Sequence, residues 1–368
     1  MIYLTEYQTA YATHVELLED IPYPQRVHWF PETYNKAKTG MFYPPHKLAD
    51  KVLNPNLLKK LRDNPVGKTA FILAGGNGHF AGLNARSKAP TQLTYEYKFL
   101  PFTLTQVYAG RIAQSCGAVD HIVTDASACA SSLKALMDVQ TLIKHYGFKR
   151  VVVLAVEDAV SNSVLEFFGE ARASLTAKDE ADGTKPSAFD DKNHGFYVGQ
   201  GAAFAVFECA SVATNPKAVL KGAYTAAEAC PNAIGQTESG HGFIKAMMGA
   251  LDIANIDSRD IKIVKTHGTG TKSNNVAEKA ALEDMLYDFV ATSYKQHIGH
   301  TMGASGLLET LLLIDDIKVD KYIPAIANRT SADERYLSQD FYAPEGDILS
   351  LAAGMGNIYS AAVLSLEI

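Results

Sequence analysis

The sequence predicts an α/β protein built from two related halves, with helices packed between and outside sheets. From about residue 69 onward, apolar runs of strand length alternate with helical patterns. Each half contains a small-residue segment that opens a leucine-rich helix, at Ala130 in the first half and at Ala304 in the second. A Gly-x-Gly pair also leads into an apolar strand twice, at Gly199 and at Gly354. Such internal similarity favours stacked layers of strands and helices.

The first half, placed at residues 1–212, holds most of the clear elements. Apolar and β-branched runs predict strands at 2–5, 70–74, 121–124, 150–157 and 196–208. Helical spacing of apolar residues predicts helices near 56–62, at 102–115, and from 133 to a stop at Gly147. The glycines at 75–78 lack phosphate-loop spacing and indicate a tight turn, and the polar stretch 171–193 predicts a loop.

The second half, residues 213–368, continues the alternation. Strands are predicted at 218–223 and 261–266, a helix within 234–251, and a final strand that ends at Glu367. The helix after Ala304 is apolar and follows small residues, as does its counterpart in the first half.

Composition narrows the functional classes. The chain has 368 residues, 47% of them hydrophobic and 20% charged, with a formal net charge of −6. A nucleic-acid-binding surface is not expected, because such domains are usually basic. The N-terminus lacks a basic leader with an apolar core, and the apolar runs fall short of the ~20 residues of a membrane helix, so we expect a cytoplasmic protein with no membrane contact. Acidic pairs such as Asp190 and Asp191 lack metal-ligand spacing, and no metal is expected.

Cys129 is the most informative residue. Four cysteines are present without a C-x-x-C pair, and three of them suit small buried residues in a reducing compartment. Cys129 differs, because it lies in Asp125-Ala-Ser-Ala-Cys129-Ala-Ser-Ser-Leu133, directly before a long helix. A helix N-terminus lowers the pKa of a thiol and activates it as a nucleophile. The alternative is a buried structural cysteine.

Two histidines have equally unusual surroundings. His267 follows a predicted strand and opens His267-Gly-Thr-Gly-Thr271, whose hydroxyls at Thr269 and Thr271 suit an amide-rich ligand arm. The alternative is a glycine turn with an incidental histidine.

The second histidine, His300, lies in Gly299-His-Thr-Met-Gly-Ala-Ser-Gly306, before an apolar helix. A histidine at such a place stays neutral, so that its ring N–H can donate to an oxyanion. A thiol with two imidazoles fits carbon–carbon bond formation on thioesters better than proteolysis.

These motifs resemble those of the β-ketoacyl-acyl-carrier-protein synthases, the elongating ketosynthases of fatty acid and polyketide assembly. Ser127-Ala-Cys129-Ala-Ser matches the T-A-C-x-S nucleophile motif of that family. His267-Gly-Thr-Gly-Thr271 with Glu278 matches H-G-T-G-T…E, and Lys295…Gly299-His300…Gly303-Ala-Ser-Gly306 with Glu309 matches K-x-x-x-G-H-x-x-G-A-x-G. The three motifs occur in the order of the family, which makes the combination specific.

The resemblance implies a thiolase-like fold with two pseudo-repeated halves in five layers, α-β-α-β-α. It also implies a dimer, either a homodimer or a heterodimer with a ketosynthase-like subunit, and an acyl carrier protein as partner. No resident cofactor is implied, because phosphopantetheine arrives on the carrier protein. The reaction would be the decarboxylative Claisen condensation of malonyl-carrier protein with an acyl chain held on Cys129, in a specialised fatty acid or polyketide pathway.

The resemblance also implies roles for individual residues. His267 and His300 would stabilise the enolate, while Lys295 and Glu309 would be supporting charges. The backbone N–H groups of Cys129 and Met355 would form an oxyanion hole. Thr269 and Thr271 would contact the phosphopantetheine arm, and Met355 would gate the acyl pocket.

The chain departs from the family pattern at several positions. Asn274-Asn275 stands where Gly-Asp is usual, His194 replaces the acid of R-D-G-F, and Gln200 replaces the Glu of G-E-G. The C-terminal G-F-G-G loop reads Gly354-Met355-Gly356-Asn357. These differences favour a specialised substrate.

Two alternatives stay open at this stage. One is a non-catalytic partner subunit of the chain-length-factor type, and the other is a CoA-dependent thiolase-like acyltransferase. If the partner is an acidic carrier protein, docking needs exposed cations near the cavity mouth. The candidates are Lys59, Lys60, Arg62, Lys149 and Arg150.

Overall fold

The computed structural model describes residues 1–31, 48–75, 105–232 and 234–366. The elements up to residue 212 are β1 (Ile2–Tyr11), β2 (His14–Leu18), β3 (Gln25–Trp29), α1 (Pro55–Asp63), β4 (Thr69–Ala74), α2 (Thr105–Cys116), β5 (His121–Asp125), α3 (Ser131–Tyr146), β6 (Arg150–Asp158), α4 (Asn162–Glu170), α5 (Ala177–Ala181) and β7 (Val198–Cys209).

The remaining elements are β8 (Ala218–Ala227), α6 (His241–Ala254), β9 (Ile261–Lys265), α7 (Lys272–Met285), β10 (Val290–Thr292), α8 (Lys295–Ile298), α9 (Ser305–Asp315), β11 (Tyr322–Ile323), β12 (Phe341–Tyr342), β13 (Asp347–Gly354) and β14 (Ile358–Ser365).

The main sheet is arranged symmetrically about its centre. Its strand order is β10-β9-β13-β14-β8-β1-β7-β6-β4-β5. On each side the three outer strands are parallel and the rest are antiparallel, and β1 joins the halves by pairing Ile2–Leu4 with residues 218–220 of β8. The arrangement of strands and their directions are therefore the same whether the sheet is followed from β10 or from β5. This symmetry confirms the expectation of two related halves.

Five layers follow from the packing of the helices. Helices α3 and α9 contact each other and strands of both halves, so they form the central layer. Helices α1 and α2 cover the outer face of the first half, while α6 and α7 cover the outer face of the second. The core is accordingly divided into a central cluster between the halves and an outer cluster under each pair of helices.

The similarity of the two helix starts is confirmed in the backbone. A 3₁₀ turn, Ala128–Ala130, precedes α3, and another, Met302–Ala304, precedes α9. Their first residues both have left-handed backbones, with φ of 48° at Ala128 and 46° at Met302. A non-glycine residue rarely adopts this conformation, so its recurrence at equivalent positions marks a repeated structural unit.

The structure also corrects several predicted boundaries. Strand β1 extends to Tyr11, because a bulge at Leu4/Glu6 lets it follow β7. Helix α6 begins at His241, and α7 and the β2–β3 hairpin were not predicted. Residues 76–78 of the predicted turn, 102–104 of the predicted helix and Glu367 lie outside the described residues.

The predicted loop at 171–193 contains the short helix α5. Thr176 and Asp179 form a capping box at its start, with each side chain bonded to the backbone N–H of the other residue. The Thr-x-x-Asp spacing is a helix-start signal that can be read in the sequence.

Candidate active site

Cys129 occupies the turn between β5 and α3. Asp125, at the end of β5, fixes this turn, because its carboxylate accepts the Ser127 N–H at 2.9 Å and forms a salt bridge with Lys134 of α3. Ser131 donates its hydroxyl to the Ala128 carbonyl at 2.6 Å. The Cys129 side chain is held on a rigid turn and is only 8% exposed.

The electrostatics of Cys129 differ from the sequence expectation. Burial raises the pKa of the Cys129 thiol to about 12. Nearby Lys295 opposes this shift in pKa, but it does not offset the loss of water. The expected lowering of the pKa by a helix N-terminus is therefore wrong for the resting protein, in which the thiol is protonated.

His267 stands at the end of β9, where Glu278 of α7 organises the loop. The Glu278 carboxylate accepts the backbone N–H groups of His267 at 2.5 Å and Gly268 at 2.9 Å. Asn274 donates its side-chain amide to the same carboxylate at 2.8 Å. The substitution of Asn for the usual glycine thus adds a bond that holds the loop. Gly270 has φ of 72°, and a Cβ there would lie 1.9 Å from the Ser187 carbonyl oxygen.

His300 is placed by a close backbone crossing. A Cβ at Gly299 would lie 2.9 Å from the Cα of Gly199, so only two glycines permit this approach. The crossing lets His300 donate its N–H to the Tyr197 carbonyl at 2.6 Å and accept the Gly199 N–H at 2.9 Å. The histidine is thereby attached to the first residues of β7.

The ring of His300 has a defined tautomer. Its Nδ1 accepts the Met302 N–H at 3.3 Å and lies 2.9 Å from the Ser305 hydroxyl oxygen. In a neutral ring with Nδ1 as acceptor, the proton is on Nε2. His300 therefore has a ring N–H available as a donor.

The two imidazoles lie side by side in a common environment. Their ring centroids are 5.9 Å apart and their planes are at 81°. Burial lowers the pKa of both rings well below the usual value, and Lys295 is the next largest contributor to each shift in pKa. Both rings are accordingly neutral near pH 7.

A buried charge cluster lies behind the histidines. Lys295 donates to both oxygens of Glu309, at 2.8 and 3.1 Å. A second lysine, Lys265, donates to Glu309 Oε2 at 3.3 Å and to the Leu351 carbonyl at 2.7 Å. All three charged side chains are inaccessible to water. Sequence reasoning assigned no role to Lys265, although a lysine that directly follows two β-branched apolar residues and precedes a histidine by two positions was a usable signal.

The candidate residues meet at one cavity. A cavity of about 400 Å³ is lined by Cys129, His267, His300, Thr269, Thr271 and Met355, together with Phe168, Phe196, Arg172 and Lys272. Lys295 and Glu309 lie outside this lining, behind the rings. The structure therefore brings together every predicted site residue, six at the cavity surface and two as buried support.

Met355 lies on the loop between β13 and β14. The preceding Gly354 approaches the nucleophile turn so closely that a Cβ would lie 2.6 Å from the Ser127 carbonyl oxygen. Asn357 anchors the other end of the loop by donating its side-chain amide to the Cys230 carbonyl at 3.0 Å. Met355 is half-buried between these two attachments.

Cys129 also belongs to an apolar cluster that sequence reasoning missed. Its other buried members are Val27, Trp29, Ala159, Leu165, Phe168, Phe196, Val198 and Met302, and Met355 packs against it. Val27 and Trp29 come from β3, which pairs with β7 at Val198 and Gly199. The segment that supplies them carries no catalytic motif, so only the tertiary pairing shows that it reaches the nucleophile.

Two residues that depart from the family pattern, Gln200 and His194, make their contacts away from the Cys129 cavity. Gln200 accepts the Phe30 N–H at 2.9 Å and donates to Asp158 at 2.8 Å, and burial raises the pKa of Asp158 to about 6. His194 lines neighbouring cavities instead of the one that contains Cys129.

Across residues 1–31, 48–75, 105–232 and 234–366, no helix is both long and apolar enough to cross a membrane. In that same part of the chain, no group of His, Cys, Asp and Glu side chains is arranged to hold a metal ion.

Comparison with known families agrees with this geometry. The sequence model described as "Beta-ketoacyl synthase, N-terminal domain" matches residues 48–213, and "Beta-ketoacyl synthase, C-terminal domain" matches residues 217–329. The chain belongs to the β-ketoacyl synthase family, whose members share the thiolase-like fold described above.

Curated relatives come from polyketide and fatty acid synthesis. The chain is 30% identical over 288 residues to the tetracenomycin polyketide synthase ketoacyl synthase alpha subunit of Streptomyces glaucescens, covering 74% of this chain and 66% of that protein. It is 24% identical over 267 residues to 3-oxoacyl-[acyl-carrier-protein] synthase 2 of Staphylococcus aureus, covering 70% and 65%. The chain thus spans about two thirds of the length of these relatives.

Solved structures share the fold at low sequence identity. A type II polyketide ketosynthase structure, AntDE:AntF with its acyl-carrier protein, superposes with a TM-score of 0.82 at 16% identity, covering 99% of this chain and 98% of that one. A β-ketoacyl synthase from Burkholderia phymatum gives 0.77 at 20% identity, covering 99% and 98%. These likenesses establish the fold.

The raised pKa of Cys129 gives a test of its environment. The thiolate fraction should increase about tenfold per pH unit below the pKa of the thiol. The rate of iodoacetamide alkylation at Cys129, followed by peptide mass spectrometry, should therefore rise without a plateau between about pH 7 and 9. A plateau near neutral pH would show a thiolate already formed in the resting protein.

Proposed function

We propose that this protein is a β-ketoacyl synthase that condenses a malonyl thioester with an acyl chain held on Cys129, in a specialised fatty acid or polyketide pathway. The observation that carries the proposal is the convergence of Cys129, His267 and His300 on one cavity. A non-catalytic subunit would not need a nucleophile and two neutral donors at the same surface.

In the first step Cys129 attacks the carbonyl carbon of an acyl thioester. The bond from Cys129 Sγ to carbon forms, the bond from carbon to the carrier sulfur breaks, and the proton of the Cys129 thiol ends on the departing carrier thiol. Because the resting thiol is protonated, this proton must leave as the bond forms. The backbone N–H groups of Cys129 and Met355 are the proposed donors to the oxyanion.

In the second step a malonyl thioester loses CO₂. The electron pair of the broken carbon–carbon bond forms an enolate, whose oxygen accepts hydrogen bonds from His267 and His300. The enolate carbon attacks the acyl carbonyl carbon, and the bond from that carbonyl carbon to Cys129 Sγ breaks. The departing Cys129 thiolate takes up a proton from solvent, which restores the resting thiol. Neutral rings suit this role, because the N–H of each can donate a hydrogen bond but is too weak an acid to protonate the enolate carbon.

The proposed partner is an acyl carrier protein, with no resident cofactor. Thr269 and Thr271, whose hydroxyl oxygens are 3.2 Å apart, would contact the phosphopantetheine arm that the carrier brings. The AntDE:AntF structure contains a carrier protein with its ketosynthase, and a Xenorhabdus doucetiae structure contains a ketosynthase with its chain length factor. By likeness to these, we propose a homodimer or a heterodimer with a ketosynthase-like subunit.

We propose a docking site different from the cations suggested by the sequence, because Arg150 is buried and the others lie near it in the chain or beside Leu61, whose carbonyl Arg150 bonds. Arg150 is only 6% exposed, and its guanidinium bonds Glu208 and the carbonyls of Leu61 and Asn64. Arg150 begins the nine-residue strand β6, whereas Glu157 near its other end acts on the pKa of Cys129. At 3.3 Å per residue the two ends are about 26 Å apart.

Two exposed cations lie instead at the cavity mouth. Arg172 follows α4 and Lys272 begins α7, and both line the Cys129 cavity. An acidic carrier protein that inserts its arm here would meet both charges. These residues replace the predicted patch as the proposed docking site.

The role of Cys129 is tested by intact-mass measurement after incubation with acyl-carrier protein. The unmodified protein should gain one acyl group, whereas Cys129→Ala should gain none and form no condensation product. Cys209→Ala, which changes a cysteine at the far end of β7, is the matched control and should be acylated normally. Normal condensation by a heterodimer that contains Cys129→Ala would assign a chain-length-factor role, and a strong preference for acyl-CoA over acyl-carrier protein would assign a CoA-dependent transferase.

The docking site is tested by charge reversal. Arg172→Glu and Lys272→Glu should each raise KM for carrier-bound substrates by about tenfold, since a repulsive charge at the rim slows association. Lys60→Glu and Arg62→Glu, at the opposite end of β6, are the controls and should leave KM unchanged. An equal effect of the rim variants on a carrier-free pantetheine thioester would contradict docking as their role.

The gate is tested by product analysis. Met355 presents a flexible thioether to the cavity, and a stiffer ring there should restrict the acyl chain that Cys129 accepts. Met355→Phe should shift the product distribution toward shorter chains, while Met248→Phe, at an exposed position of α6, should leave it unchanged. An unaltered distribution with Met355→Phe would remove Met355 from the gate.

A further inference from the structure

The buried cluster behind the histidines contains more positive than negative charge. Glu309 is shared by Lys295, which donates to both of its oxygens, and by Lys265, which donates to Oε2 at 3.3 Å. Within this hydrogen-bonded cluster, which has no access to water, two ammonium groups share one carboxylate. The nearby buried carboxylate of Glu278 is bonded instead to the N–H groups of His267 and Gly268 and to the Asn274 amide.

Stability alone does not account for this arrangement. A buried ion pair at best offsets the loss of hydration of its two members, and an additional buried cation has no carboxylate of its own. Lys265 gains only a shared contact with Glu309 and one bond of 2.7 Å to the Leu351 carbonyl. An apolar side chain on β9 would avoid the desolvation of the third charge.

The location of the surplus charge suggests its use. Lys265 precedes His267 by two residues at the end of β9, and Lys295 precedes His300 by five. Both lysines act on the pKa of both rings in the same direction, toward the neutral form. The unbalanced charge therefore lies behind the two donors proposed to hold the enolate oxygen.

We propose that Lys265 is a positioning residue of the condensation step: it holds Glu309 together with Lys295 and leaves one positive charge behind His267 and His300, where the negative enolate forms. This inference rests on the proposed function of the site. Negative charge that develops in a water-excluded cavity is stabilised strongly by a fixed positive charge, which needs no reorganisation during the reaction.

The groups facing Lys265 determine its response to pH. Glu309 of α9 and Glu278 of α7 favour the charged ammonium, whereas Lys295 opposes it. Burial is the largest influence, and it lowers the pKa of Lys265 to about 8. The neutral rings of His267 and His300 have no charge to change above pH 7. As the pH rises through the pKa of Lys265, the surplus charge is lost, and condensation should slow.

The test is single-turnover condensation, started by adding malonyl-carrier protein to enzyme already acylated on Cys129. Starting from the acyl-enzyme removes the pH dependence of the thiol. The unmodified enzyme should lose rate above about pH 8 and level off at a rate about tenfold lower, where Lys265 is neutral. Lys265→Arg, which keeps the charge and does not titrate, should remove this decline. Lys265→Gln keeps a hydrogen-bond donor but has no charge. Its rate should not change with pH over this range and should be about tenfold lower than that of the unmodified enzyme at neutral pH.

The matched control is Lys262→Gln, on the same strand, where Lys262 forms an exposed ion pair with Asp288. It should reproduce the unmodified profile. A basic decline retained by Lys265→Arg, or a rate for Lys265→Gln equal to that of the unmodified enzyme, would overturn the role of Lys265. If one variant does not fold, the other decides by the same criterion. Failure of unmodified Cys129 to accept an acyl chain would instead overturn the proposed function.

Discussion

Exclusion of water from one cavity controls the charge of every reacting group in this structure. Burial opposes ionisation of the Cys129 thiol and protonation of His267 and His300, so all three are neutral at rest. This state differs from the thiolate–imidazolium pair of cysteine proteases, in which a charged nucleophile is ready in advance. In the proposed reaction the proton of the thiol has to move, and the neutral rings are suited to donate hydrogen bonds.

The turns before α3 and α9 have the same backbone conformation but hold different side chains at the cavity. The turns at Ala128–Ala130 and Met302–Ala304 share their left-handed first residue and their position before a central helix. In the first half the turn carries Cys129, whereas the equivalent position of the second half is Gly303. The second turn instead holds His300, through the bond from Met302 to its Nδ1. The repeated architecture thus brings Cys129 from one half and His300 from the other to the same cavity.

The sequence was sufficient where function depends on residue type at a fixed spacing. Cys129, His267 and His300 were predicted from short motifs, and the structure places them at one cavity because each motif follows a buried strand or precedes a central helix. The pKa values of these groups depend on how deeply the folded chain buries them, so they could not be predicted from the motifs. The helix N-terminus suggested a low pKa for Cys129, but depth of burial, which no local pattern reveals, dominates the pKa.

Long-range pairing explains the other failures. From the sequence, Arg150 is predicted to be a surface cation next to Lys149. In the structure β6 pairs with β7 so that Arg150 lies opposite Glu208 and forms an ion pair with it. Val27 and Trp29 reach the Cys129 cluster only because β3 pairs with the start of β7. Lys265 and Glu309 are 44 residues apart and meet between two layers. In each case a residue acquires its role from a partner that is distant in sequence.

The residues of the three sequence motifs and the apolar residues that surround Cys129 come largely from different segments of the chain. The donors and the nucleophile are fixed by backbone bonds to the symmetric core, such as those between His300 and residues 197 and 199. The apolar wall beside Cys129 combines residues of β3 and α4 with Phe196, Val198 and Met302, and Met355 packs against it. Substitutions in that wall change the space beside Cys129 without altering the bonds that orient the rings. Among the residues that depart from the family pattern, Met355 borders this wall, whereas Asn274 holds the loop of His267, and Gln200 and His194 make their contacts elsewhere.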